Sequence, residues 1–219
     1  LLKRTIAYGW ASAMQQATVQ LGKIGIQAIV NTMGVSVAAA FAVVNRIDDF
    51  AYTPEQNIAH AMTALMAQNK GAGKRDRMRE GFRCGLVLEV IYGIFIFLVC
   101  YLLARPLMLL FVKDEEVIGH GVTYLHLISL MYVLPALTNG LQGFFRGIGD
   151  MKVTLISSFV NMGVRVLAAI PLVFMLGLGI EALPYSYLAG WVGMLLVETP
   201  LLVRIYRRGE LQLKHTNGK

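Results

Sequence analysis

Charged residues are scarce in this chain. Only 15% of its 219 residues are Asp, Glu, Lys or Arg, against about a quarter in soluble globular domains. Cysteine is scarcer still: Cys84 and Cys100 lie within or beside one apolar run, which excludes a disulfide framework and suits small apolar fillers. The four histidines are scattered, and no Cys/His spacing fits a metal site. "GAGK" at Gly71–Lys74 lacks the full phosphate-loop pattern and the preceding strand. No nucleophile–base pair has a plausible third member, so nothing reads as an enzyme. No signal peptide is visible: residues 1–33 form too long and too polar a segment. The chain begins with Leu1 rather than Met, and the expectation is a fragment or processed piece.

What the sequence has in abundance is apolar length. Hydrophobic residues make up 56% of the chain, and mean hydropathy is +0.59. Leu86–Val112 is interrupted only by Glu89 and Arg105, and similar runs cover Val117–Phe145, Val153–Leu178 and Ala182–Ile205. A bilayer span needs about 20 such residues, so an integral membrane protein is expected. The net charge of +7 could suggest nucleic acid, but its placement argues for topology. Fifteen of the 20 basic residues fall in four clusters. The first is Lys3 and Arg4, and the second is Lys70, Lys74, Arg75, Arg77, Arg79 and Arg83. Arg146 and Lys152 form the third, and Arg204, Arg207, Arg208, Lys214 and Lys219 the last. The connections between them contain one Lys and several acids. This alternation is the positive-inside pattern. It places both chain ends and loops 69–83 and 146–152 in the cytoplasm, in a multi-pass protein of the plasma (inner) membrane.

The expected fold is an all-α integral membrane bundle of six transmembrane helices, at about 5–33, 36–68, 84–112, 117–145, 152–178 and 182–206. The first two are longer than the roughly 30 Å hydrocarbon core requires, so they must tilt, bend or protrude. Pro54 offers a physical cause for a bend. In the first span Gln16, Gln20, Lys23, Gln27 and Asn31 keep helical spacing on one face, which should look into a bundle or wet cavity. In the second, Arg46, Asp49, Thr53, Gln56, Asn57 and His60 share one broad side, while Asp48 and Glu55 fall opposite. Two polar faces suggest a helix wet on both sides or broken at Pro54. A structural Arg46–Asp49 pair is the plainer reading. Asn139 and Gln142 are further cavity candidates, and Arg146 on their face reads as an interface anchor. Glu89 and Glu198 sit close enough to span ends to reach an interface. Arg165 lies deeper, with no evident partner.

Several stretches resemble the multidrug and toxic compound extrusion (MATE) transporters. "NRIDDFAYTPEQNIAHAMTALMAQNKGAGKRDRMREGF" is similar to their eighth helix and the basic loop after it. "LQGFFRGIGDMK" resembles the end of the tenth, and "AMQQATVQLGKIGIQAIVNTMG" the seventh. "NMGVRVLAAIPL" and "PYSYLAGWVGMLLV" fit the eleventh and twelfth. The resemblance implies one lobe, the C-terminal, of a twelve-helix transporter whose N-terminal lobe is absent from this chain. It further implies export of small organic, often cationic, molecules in exchange for inward Na+ or H+, without a cofactor or nucleic-acid partner. The lobes would rock to open a central cavity alternately to each side of the bilayer.

The sequence departs from the sodium-coupled branch. Midway along the seventh helix that branch has an acid, where this chain offers Gln15, Gln16, Gln20 and Lys23. Its tenth helix also holds an acid, where Asn139 and Gln142 stand here. If this lobe couples, Asp49 is the acid best placed to take Na+ or a proton; otherwise the coupling acid lies in the N-terminal lobe. No other metal site is expected. A lipid-linked oligosaccharide flippase of related fold would want a cationic cavity, and Lys23, Arg46 and Arg165 are its support. A non-transporting membrane scaffold is the third reading.

Overall fold

A chain this apolar satisfies its backbone groups in a bilayer only within helices or a closed barrel. The computed structural model describes residues 2–207, and among these residues every regular element is helical. They form α1 (Leu2–Asn31), α2 (Val35–Gly71), α3 (Arg75–Leu102), α4 (Ala104–Leu109), α5 (Glu115–Ser129), α6 (Val133–Gly147), α7 (Met151–Phe174) and α8 (Ala182–Arg207). Arg208, Lys214 and Lys219 of the last basic cluster lie outside the described residues, as do the side chains of Lys3 and Arg4.

The eight helices group into six segments because two of the expected spans are interrupted. The segment expected at 84–112 begins earlier, at Arg75, and ends as a helix at Leu102. Pro106 in α4 has no N–H to offer the Leu102 carbonyl, so the α-helical ladder cannot continue through it. The segment expected at 117–145 is not one straight helix: α5 and α6 meet at 54° across residues 130–132. Pro135 is the cause, since it cannot donate to the Met131 carbonyl. That carbonyl instead accepts from Leu134 N at 2.8 Å, and Tyr132 N turns back to Ser129 O at 3.1 Å. By contrast, α2 runs 37 residues without a break through Pro54, so the alternative of a helix broken there is set aside.

The loops are shorter than expected. Loop 69–83 reduces to residues 72–74, and loop 146–152 to residues 148–150; the basic residues of the first mostly ride on the opening turns of α3. Gly149 turns the second loop at φ 84°, a conformation that favours glycine. Lys70 Nζ donates to the Ile148 carbonyl, tying the two basic loops together at one end of the bundle. At the opposite end Asp114 caps α5, accepting from Glu116 N and Val117 N at 2.9 and 3.3 Å.

Helix α7 packs against both α1 and α8, while α2 packs against α3, α5 and α6. The packing is that of a membrane protein, apolar outward and small or polar inward. On α3 the exposed stripe is Val87, Ile91, Ile94, Phe95 and Leu98, while Phe82, Gly85, Glu89 and Gly93 are buried. Helices α3, α7 and α8 are each long and apolar enough to cross a bilayer, and α5 with α6 makes a bent fourth span. Helices α1 and α2 are longer, at 30 and 37 residues, and carry the polar stripes.

Candidate functional site

Those stripes meet at one place. A cavity of about 500 Å³ opens between α1, α2, α6, α7 and α8. Helix α1 contributes Gln15, Gln16, Gln20 and Lys23, and α2 contributes Asp49, Tyr52, Thr53, Gln56 and His60. From α6 come Asn139, Gln142 and Arg146, and from α7 Ser158, Asn161 and Arg165; Tyr187 and Trp191 of α8 close the wall. Eight of the ten candidate residues therefore line one space: Gln16, Gln20, Lys23, Asp49, Gln56, His60, Asn139 and Gln142.

Arg46 and Asn57 do not. Both are exposed and neither borders the cavity. The reason is angular, at about 100° per residue. Relative to Asp49, His60, Gln56 and Thr53 all lie within roughly 40°, whereas Arg46 and Asn57 lie roughly 60° and 80° to one side. The wall extends the other way, to Tyr52, leaving Arg46 and Asn57 past its edge. No Arg46–Asp49 ion pair forms among the described residues.

The floor of the cavity is a knot of amides and a hydroxyl. Gln15 Nε2 donates to Gln142 Oε1 at 3.1 Å and to Ser158 Oγ at 2.9 Å, and Gln142 Nε2 reaches the same Ser158 Oγ at 3.2 Å. All three side chains are buried, and together they tie α1, α6 and α7. Gln142 is thus a wall residue whose amide is already engaged in holding three helices.

Arg165 was the deep charge without an evident partner, and its partners are aromatic. Its guanidinium carbon lies 3.7 Å from the Tyr187 ring centroid and 5.5 Å from that of Trp191. The two rings meet edge to face with centroids 6.0 Å apart. Stacking of this kind holds an arginine in place without neutralising it. Arg146 departs from its reading as an interface anchor: it lines the cavity and its Nε donates to Gln142 O at 3.3 Å.

The acids divide sharply. Asp49 is the one carboxylate on the cavity wall. Asp48 is buried behind it and accepts a 2.5 Å hydrogen bond from Tyr132 Oη, at the α5–α6 break. Glu55, Glu89 and Glu198 are fully buried, which corrects the expectation that Glu89 and Glu198 reach an interface. Asn139 Nδ2 contacts Glu55 Oε2 at 3.4 Å, while Glu55 Oε1 and both oxygens of Glu89 and of Glu198 have no hydrogen-bond partner. Asp48 and Glu55 sit on the inner flank of α2, facing the other helices of the bundle, so that flank is packed rather than wet. No group of three or more His, Cys, Asp or Glu gathers to hold a metal among the described residues.

Reading residues one span at a time missed Gln15, Ser158, Asn161, Tyr187 and Trp191 as wall residues. Ser158 and Asn161 give little signal within an apolar run, whereas Arg165 gave a strong one, as an ionisable residue within a span.

Comparison with known proteins places this architecture. The chain is 26% identical over 194 residues to the probable multidrug resistance protein YoeA of Bacillus subtilis, covering 88% of this chain and 40% of that protein. It is 20% identical over 193 residues to the probable multidrug resistance protein NorM of Thermotoga maritima, with the same coverage on both sides. The chain therefore spans 40% of the length of either relative. Among solved structures, a point mutant of the Vibrio cholerae MATE transporter VcmN superposes with a TM-score of 0.88 at 18% identity, over 97% of this chain and 48% of that one. A MATE crystallised in a bent conformation gives 0.89 at 15% identity, over 99% and 48%. These likenesses establish the fold of one transporter lobe. The MatE family model matches residues 11–171, and the chain belongs to that family.

Proposed function

We propose that this chain is the C-terminal lobe of an ion-coupled exporter of small organic molecules, and that the cavity is its half of the substrate path. The observation that carries the reading is the placement of polarity: a cavity lined by charged and amide side chains opens on one flank of a bundle that is otherwise apolar outside. Polar groups at membrane depth are costly unless they face water, protein or a substrate. The absent N-terminal lobe would complete the cavity, and rocking of the two lobes would expose it to each side in turn.

Asp49 is the acid that Na+ or a proton would reach directly. Loading it would favour one of the two lobe arrangements, and a ligand shifts such an equilibrium only by its differential affinity for the two states. The basic end of the bundle, with the 72–74 and 148–150 loops, faces the cytoplasm of a plasma-membrane protein in this reading. The test replaces Asp49 with Asn in the full-length protein. Efflux from cells is then measured under an imposed Na+ or H+ gradient, using ethidium and carboxyfluorescein as cationic and anionic dyes. Loss of gradient-driven efflux is expected; a wild-type rate for D49N would remove Asp49 from coupling.

A further inference from the structure

The charges that touch the cavity do not balance. Lys23, Arg146 and Arg165 line it, against the single carboxylate of Asp49. None of the three cations forms an ion pair; among the described residues the salt bridges are Arg105–Glu115 and the weak His120–Glu116 contact, both away from the cavity. Arg165 is buried on two aromatic rings with its Nε unpartnered, and Arg146 spends its Nε on a backbone carbonyl. Lys23 is exposed on the wall. His60, Tyr52 and Tyr187 are the other titratable groups there, and none of them adds a carboxylate. Asp48, Glu55 and Glu198 lie behind the wall and do not line the cavity, so a bound molecule meets the cations by contact and these acids only through protein.

We propose that this wall takes an organic anion, a small aromatic molecule bearing a carboxylate or similar acidic group, rather than an organic cation. The acidic group would sit between Lys23 and Arg165. Its ring would lie against Tyr187 and Trp191, which already present aromatic surface beside the guanidinium. On this lobe's wall a cation in the same position would face three like charges for one opposite. Lys23 and Arg165 interact with Asp48, and Arg146 with Glu198, only through the wall. Cations without a direct ion pair in a low-dielectric cleft are costly to keep, and an anionic guest relieves that cost. An anion and a proton or Na+ at Asp49 would not compete for one charge, so exchange for this class would rest on the alternation of the lobes.

The proposal rests on the cavity being a substrate path, and binding separates it from transport. Purified full-length protein in detergent is titrated with carboxyfluorescein and with ethidium, two aromatic dyes of opposite charge, by fluorescence anisotropy. Carboxyfluorescein is expected to bind at least tenfold more tightly. Lys23→Gln should weaken it about tenfold, the effect of one charge-assisted hydrogen bond, and should strengthen ethidium; Lys23→Arg should restore the anion. Lys23 is exposed, so its replacement leaves packing intact. Tighter binding of ethidium overturns the proposal, as does an equal loss of both dyes in Lys23→Gln. Preference for a polyprenyl phosphate over carboxyfluorescein would overturn the small soluble guest in favour of a lipid-linked one. Carboxyfluorescein binding without gradient-driven efflux would defeat the transport reading and leave the charge assignment standing.

Discussion

Gly143 is where a single methyl group should be felt most. Helices α2 and α6 cross there with their backbones in contact: a Cβ built on Gly143 would lie 2.6 Å from the Ala59 carbonyl oxygen and 3.2 Å from its carbonyl carbon and Cα. These are backbone atoms, so no side chain can swing aside. One turn on, a Cβ built on Gly147 would lie 2.7 Å from the Thr63 carbonyl oxygen, completing a small-x-x-x-small packing face. The Thr63 hydroxyl bonds across the same crossing to Gly143 O at 3.1 Å. Gly143→Ala must therefore separate the helices, and overpacking of this kind costs about 1–3 kcal/mol. The control is Gly163→Ala in α7, where the added Cβ meets nothing within 4 Å and helix propensity favours Ala by about 1 kcal/mol. Thermal unfolding of full-length protein in detergent reads the difference. A unit of about 150–250 residues shifts its midpoint by roughly 2–4 °C per kcal/mol and a longer chain by less, so the Gly143 variant should melt below wild type and the Gly163 variant at or above it. Equal midpoints for the two would refute the close approach of α2 and α6. The crossing also matters for the cavity, because α2 carries Asp49, Gln56 and His60 while α6 carries Asn139, Gln142 and Arg146.

The buried Asp48–Tyr132 hydrogen bond supplies an asymmetric pair of variants. Tyr132→Phe leaves Asp48 Oδ1 without its donor and should cost about 1–3 kcal/mol in the same melt, whereas Asp48→Asn keeps an acceptor oxygen and should cost less; the reverse order would contradict the assigned donor. In the Arg105–Glu115 pair at the α5 end one guanidinium nitrogen, Nη2, donates to both carboxylate oxygens, at 2.9 and 3.0 Å, but the side chains are 58% and 70% exposed. Glu115→Gln should therefore shift stability by less than about 1 kcal/mol, and a larger fall would mean that this pair holds α4 onto α5.

Why so much of the wall was legible, and some of it not, follows from what helical periodicity can carry. Spacing alone put Gln16, Gln20 and Lys23 on one face of α1, and Asp49, Gln56 and His60 on one face of α2, because an angle about one helix is a local property. The width of the arc that a cavity occupies is not local. It depends on how closely the neighbouring helices approach, so Arg46 and Asn57 fell inside the sequence-defined face and outside the real one. The break at residues 130–132 had its cause in plain view at Pro135, but whether a proline bends a helix or is absorbed, as Pro54 is in α2, depends on the groups around it. Glu89 shows the same division from the other side. It lies between Gly85 and Gly93 at four-residue steps, on the face of α3 opposite Ile91, Ile94 and Leu98. Small residues flanking an acid on one face, with a continuous apolar stripe on the other, mean that the stripe meets lipid and the acid looks inward. Weighing Glu89 by its distance from the span's end concealed that reading, and weighing it by its face restores it. The same test could not have placed Arg165, whose aromatic partners come from α8 and become neighbours only when α7 and α8 pack.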